Sequence, residues 1–184
     1  MIYVALLRGI NFGGHRKVSM VDLKKTFETL GFKNVTTYIN SGNVVFSHAG
    51  KDKEKIAQKI EKEIKKVFLF EVKVLVCNGE DLHTVYKGIP SAWERESGMR
   101  PYVAFLWKEI DNPDILKQVF INPKVDKVKY AVGALVWNVD LKNWSKSVMY
   151  KFVSTKITKQ VTVRSVNTVR KLHQMMAIPI KNVV

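Results

Sequence analysis

The 184-residue chain sets 31 Lys and Arg against 16 Asp and Glu, a formal charge of +15, with 46% hydrophobic residues and a single cysteine. That apolar fraction, with nine Phe, four Trp and six Tyr, excludes a disordered chain, and the length fits one domain or two small ones. The lone Cys77 excludes a disulfide scaffold and a cysteine zinc site. No apolar run approaches the roughly 20 residues of a membrane span, and Arg8 interrupts the N-terminal apolar run where a signal peptide would continue. The expectation is a cytoplasmic protein with no membrane partner.

Ile2–Leu7 reads as a strand buried on both faces, followed by a glycine-containing loop over Arg8–Val18. Ser19 with Asp22 three residues later marks a helix start. Met20, Leu23, Phe27 and Leu30 continue it at helical spacing, and Gly31 stops it. Val35–Asn40 and Asn43–Ser47 form strands around Ser41-Gly42, a helix spans Asp52–Phe68, and Val72–Val76 is a strand. The order β-α-β-β-α-β is that of a ferredoxin-like unit. A short helix at Glu80–Tyr86 and the polar stretch Gly88–Arg100 then serve as a connector.

Beyond it the pattern restarts. Tyr102–Trp107 is a strand, Asn112-Pro113 opens a helix to Phe120, and Lys127–Ala131 with Ala134–Val139 make a hairpin around Val132-Gly133. Trp144, Val148, Met149 and Phe152 mark a helix, Val161–Val163 a short strand, and Ser165–Met176 a last helix. Tyr3-Val4-Ala5 recurs as Tyr102-Val103-Ala104, and Gly42 recurs as Gly133. The expected fold is α+β: two tandem ferredoxin-like units over 1–78 and 101–184, a helical connector over 79–100, and a basic C-terminal helix. Apolar residues on both faces of the strands would leave large exposed patches unless the units pack on each other or on a second copy.

Three stretches could carry chemistry. The loop Arg8-Gly9-Ile10-Asn11-Phe12-Gly13-Gly14-His15-Arg16-Lys17 joins a strand to a helix start, where backbone N–H groups favour an anion. It lacks the Lys-Ser/Thr of a Walker loop, so the glycines can equally serve a tight connection. Ser41, Gly42 and Asn43 either line a pocket or make an ordinary turn. Arg164, Ser165 and Asn167, with Arg170 and Lys171, surround the start of the last helix, either as a phosphate site or as a capped basic helix. From Leu141 to Val184 the chain holds nine basic residues and no Asp or Glu, a one-signed field that attracts anionic partners. His15, His48, His83 and His173 have no partner at metal-ligand spacing, and neither a catalytic triad nor a paired carboxylate can be assembled. No metal, cofactor or catalytic residue is therefore expected.

Tyr3-Val-Ala-Leu-Leu-Arg-Gly-Ile-Asn11 with Gly13-Gly14 and Lys17-Val18, and Thr37-Tyr38-Ile39-Asn40-Ser41-Gly42-Asn43-Val44, resemble the motifs of a bacterial family catalogued as domain of unknown function 1697. Thr162, Arg164, Thr168, Lys171 and Leu172 match a further pattern of that family, with Ser165 in place of its Asn. The resemblance implies shared polar positions at Arg8, Asn11, Lys17, Ser41, Asn43 and Arg164, and implies no activity. The leading expectation is a protein that binds a phosphate-bearing ligand, nucleic acid or a phosphorylated small molecule, with nucleic acid favoured. The expected ligand-binding set is Arg8, Gly9, Asn11, Gly13, Gly14, Lys17, Ser41, Gly42, Asn43, Arg164, Asn167 and Lys171. The alternatives are a small acylphosphatase-like enzyme using Arg8 or Arg16 with Asn40 or Asn43, and a ligand-free homodimeric interaction protein.

Overall fold

The computed structural model describes residues 1–11, 16–93, 97–147 and 159–177. It forms two compact units, Met1–Glu80 with the described residues from Lys171 on, and Asp81–Arg170.

The first unit runs β1 (Ile2–Leu7), α1 (Met20–Thr29), β2 (Lys33–Tyr38), β3 (Asn43–Ser47), α2 (Lys53–Phe68) and β4 (Val74–Asn78). Its four-stranded antiparallel sheet has the order β2-β3-β1-β4. Ser19 caps α1 by accepting from Asp22 N at 3.3 Å. At the other end Gly31, at φ +83°, donates to Glu28 O while Phe32 N reaches Phe27 O, a left-handed closure that suits glycine. Asp52 caps α2 by accepting from Lys55 N at 3.0 Å, and that bond holds the Asp52 carboxyl below its ordinary range.

Tyr3, Ala5 and Leu7 share one core with Leu23 and Phe27 of α1 and with Ile56, Ile60 and Ile64 of α2. The spacing of four residues between those isoleucines puts them on one stripe of the helix. Phe46 anchors the core, its ring centroid 4.5 Å from Phe32, 5.5 Å from Phe27 and 5.8 Å from Tyr3. Val4 and Leu6, on the opposite face of β1, are buried as completely as their neighbours. The fourth strand lies two residues later than the apolar run Val72–Val76 suggests. Glu61 Oε1 accepts from Val74 N at 2.9 Å, which fixes the chain at the strand's entry.

In sequence, α3 (Gly79–Lys87) precedes the second sheet. There follow β5 (Met99–Leu106), a 3-10 turn at Lys108–Ile110, α4 (Ile115–Gln118), β6 (Asp126–Ala131), β7 (Ala134–Asp140), a 3-10 segment at Leu141–Lys146, β8 (Val161–Ser165) and α5 (Val166–Ala177). The second sheet is also four-stranded and antiparallel, with the order β6-β7-β5-β8. Trp137, Leu135, Ala104 and Ile115 lie in its core, with Tyr102 and Trp144 packed against them. Val103, Phe105 and Val136 of the opposite face are fully buried too.

The two sheets share the register of their central pairs, while β2–β3 carries a shift between Lys33 and Thr36 that β6–β7 lacks. Tyr3 faces Phe46 and Asn78 across its neighbours, and Tyr102 faces Trp137 and Ser165. Leu7 N donates to Gly42 O at 2.8 Å, and Leu106 N to Gly133 O at 2.9 Å. Arg8 N donates to Lys73 O at 2.9 Å, and Trp107 N to Gln160 O at 3.1 Å. The elements between the strands differ. The helix expected from Asn112 to Phe120 is only Ile115–Gln118. Asn112 Oδ1 turns the chain by accepting from Asp114 N, and Val119 is already extended. Trp144 sits in the 3-10 segment, while Val148, Met149 and Phe152 of the helix expected there fall outside the described residues.

Candidate functional site

The loop after β1 is clamped at several points. Asn11 Nδ2 donates to Val18 O and to Asn40 O, each at 2.9 Å, and Asn11 Oδ1 accepts from Val18 N at 2.8 Å. Its amide thus ties the entry of α1 to the turn before β3. Asn11 and Arg16 adopt φ of 53° and 50°, a left-handed backbone that costs a non-glycine residue about 1–2 kcal/mol. Gly9, at φ +66°, takes the same region without that cost. A methyl group at Gly9 would sit 3.8 Å from Arg16 Nη1, so the Arg16 guanidinium lies close over the backbone beside Arg8. Arg8 is half-buried; burial and, second, the charge of Arg16 lower its pKa. Lys17 is exposed, and Gly13 and Gly14 fall outside the described residues.

Ser41, Gly42 and Asn43 meet this loop. Gly42, at φ +76°, has no room for a side chain: a Cβ there would lie 2.7 Å from Leu7 Cβ and 2.9 Å from Ile10 Cδ1. Asn43 is fully buried and donates to Tyr38 O at 3.0 Å and Ser41 Oγ at 2.9 Å. Arg8, Gly9, Asn11, Ser41, Gly42 and Asn43 are therefore neighbours, but the two asparagine amides turn to the protein's own backbone and turn.

Arg164 and Asn167 belong to the second unit. Arg164 pairs in register with Val103, on the sheet face opposite Tyr102, and is buried. Its Nη1 donates to Thr162 Oγ1 at 2.9 Å and Val163 O at 2.8 Å, and burial pushes its pKa down to about 10. On the other face Ser165 Oγ accepts from Thr168 N at 3.2 Å, capping α5. A cavity of about 310 Å³ opens there, lined by Arg100, Pro101, Tyr102, Ser165, Val166 and Asn167. Arg170 Nη1 donates to Asn167 Oδ1 at 3.2 Å, and Lys171 is exposed. The sequence indicated Ser165 and Asn167 but not Arg100 and Tyr102. Only the β5–β8 register, which sets Tyr102 opposite Ser165, brings them beside the helix start.

Among the described residues no group of three or more His, Cys, Asp or Glu could hold a metal ion. Among them, too, no helix is long and apolar enough to cross a membrane.

The architecture is mixed α+β, with two four-stranded antiparallel sheets and a polar cavity at a helix start. The chain belongs to the family described as Protein of unknown function (DUF1697), whose model matches residues 1–137. That span contains the Arg8–Lys17 and Ser41–Asn43 stretches and ends before Thr162–Leu172. Among solved structures, the conserved bacterial protein SP0830 from Streptococcus pneumoniae is similar, with a TM-score of 0.81 and 26% identity over 95% of this chain and 98% of that one. No curated protein matches the sequence.

Proposed function

We propose that the protein binds a phosphate-bearing ligand, with single-stranded nucleic acid favoured, at the cavity where α5 begins. Each unit is read as ferredoxin-like, the strand orders and the repeated Leu-to-Gly and loop hydrogen bonds supporting a tandem pair. The observation that carries the function is the cavity itself. Arg100, Pro101, Tyr102, Ser165, Val166 and Asn167 line it at the positive end of a 12-residue helix. The acid-free run from Leu141 onward adds a one-signed field to this region of the sequence. Burial of Val4, Leu6, Val103 and Phe105 leaves those sheet positions closed to base stacking, so contact is made through loops and helix ends. A cytoplasmic location suits this role. The acylphosphatase-like alternative is the weaker reading, because the amide of Asn43 is buried and donates to Tyr38 O and Ser41 Oγ instead of facing a water.

Fluorescence anisotropy with a 3′-labelled single-stranded RNA, at low and near-physiological salt, tests the proposal. Binding should persist at the higher salt and fall with a slope of about 0.7 per phosphate contacted. Arg100→Ala should weaken it roughly three- to tenfold, the share of one charge-assisted contact. The exposed Lys25→Ala should leave it nearly unchanged. Equal losses in the two variants would mean generic charge attraction and would refute the site.

A further inference from the structure

In the second unit an aromatic ring stands in solvent. Phe120 is 83% exposed, on the loop that joins α4 to β6. Its position follows from the backbone. The chain turns extended at Val119, so successive side chains alternate: Val119 is buried, Ile121 packs against the same core, and Phe120 between them faces water. Asn122 then fixes the loop with every polar group it has. Its carbonyl accepts from Val125 N at 2.9 Å and Asp126 N at 2.7 Å, and its N–H donates to Asp126 Oδ2 at 3.3 Å. Its Oδ1 accepts from Lys124 N at 3.3 Å, and its Nδ2 donates to Lys146 O at 3.2 Å, which ties the loop to the 3-10 segment Leu141–Lys146. The charge in this stretch has one sign. The exposed charged residues from Val119 to Ser147 are Lys124, Lys127, Lys129, Lys142 and Lys146. Its two acids are engaged: Asp126 is buried and accepts from Ser147 Oγ, and Asp140 accepts from Lys142 N and Asn143 Nδ2. Upstream, the exposed Asp114 is paired with Lys117 Nζ at 2.7 Å.

We infer that Phe120 is a stacking platform for one base of a single-stranded nucleic acid, with Lys124 and Lys146 meeting the strand's phosphates. This deepens the nucleic-acid reading above and rests on it. The occupant follows from area and charge. An aromatic side chain buries about 150–250 Å², well below the roughly 800 Å² per partner of a stable protein interface. One ring is therefore too small an anchor for a second copy of the chain. A base needs only one ring face, and its phosphates complement the lysines. A duplex keeps its bases stacked within itself, so the platform selects single strands. The 3-10 segment joins the platform to the cavity: Trp144 packs on Tyr102 of the cavity wall, ring centroids 5.7 Å apart, and Lys146 lies two residues on. One strand can meet both places.

The test is fluorescence anisotropy with a single-stranded RNA of about ten nucleotides and with its duplex. Phe120 is exposed, so its substitution keeps the fold, which thermal melting checks. Phe120→Ala should weaken single-strand binding about five- to hundredfold, the worth of one stacked base, with the salt slope unchanged. Phe120→Trp should retain binding. Lys124→Gln combined with Lys146→Gln should instead lower the salt slope by about 1.4, the share of two phosphate contacts. Duplex binding should be the same in native protein and Phe120→Ala. Unchanged single-strand affinity in Phe120→Ala, with a loss in Arg100→Ala, overturns the platform and leaves the cavity reading standing. The reverse pattern supports the platform and overturns the cavity, and losses in both variants support both. RNA that fails to bind native protein overturns both. An equal loss on duplex overturns base stacking, and self-association lost in Phe120→Ala with RNA binding unchanged assigns the ring to a second copy and overturns the inference.

Discussion

Gly42→Ala offers a clean measure of how tightly the turn before β3 is packed on the loop after β1. Two costs apply. An alanine at φ +76° occupies the left-handed region, at about 1–2 kcal/mol. Its methyl would also lie 2.7 Å from Leu7 Cβ and 2.9 Å from Ile10 Cδ1, distances that force the buried backbone apart. Overpacking of that kind costs about 1–3 kcal/mol. The sum is about 2–5 kcal/mol, which for a chain of this size lowers the melting temperature by about 4–20 °C. Gly31→Ala is the control: φ is +83° and nothing lies within 4 Å of the added methyl, so only the backbone cost remains. Both substitutions reduce the unfolded chain's freedom alike, so the difference isolates packing. Differential scanning calorimetry of the two variants should place Gly42→Ala lower by about 1–3 kcal/mol. Equal destabilisation would refute the close approach and return Gly42 to the set of residues free to meet a ligand.

Further outcomes follow from single contacts. Asn11→Ala removes three hydrogen bonds from a partly exposed clamp and should cost about 1–3 kcal/mol in urea unfolding. Ser147→Ala deletes the buried donor to Asp126 Oδ1 at 2.5 Å and should also cost about 1–3 kcal/mol, by the same assay. The Asp52 cap predicts a pH dependence. Its carboxyl titrates below the unfolded value, so its stabilisation is complete above that value and is lost as pH falls through the native one. Asp52→Asn keeps a capping oxygen without the charge, so its melting temperature should fall less between neutral and acid pH than that of native protein.

The sequence revealed most where one local signal sufficed. The run Ile2–Leu7, the capping residue Ser19, the helix from Asp52 to Phe68, the stop at Gly31 and the hairpin around Val132-Gly133 all lie where, or within a residue of where, their chemistry indicates. Local signals failed where a distant partner decides. A glutamate from α2 holds the entry of β4, and the helix that Asn112-Pro113 suggests up to Phe120 covers only Ile115–Gln118 beyond the Asn112 turn. The site followed the same rule. The polarity of Asn11 and Asn43 was visible, but not that their amides are spent on Val18, Asn40, Tyr38 and Ser41. Arg100 and Tyr102 stood 60 residues and more from Ser165 and Asn167 in the chain, and only strand pairing joins them.

The most direct test of the phosphate-binding account is a two-dimensional amide NMR titration with single-stranded RNA at near-physiological salt. The account predicts the largest shifts at the start of α5, at Val166, Asn167 and Thr168, together with Arg100 and Tyr102, and their loss in Arg100→Ala. Shifts spread over the exposed lysines of α2, or none at all at the start of α5, would contradict it.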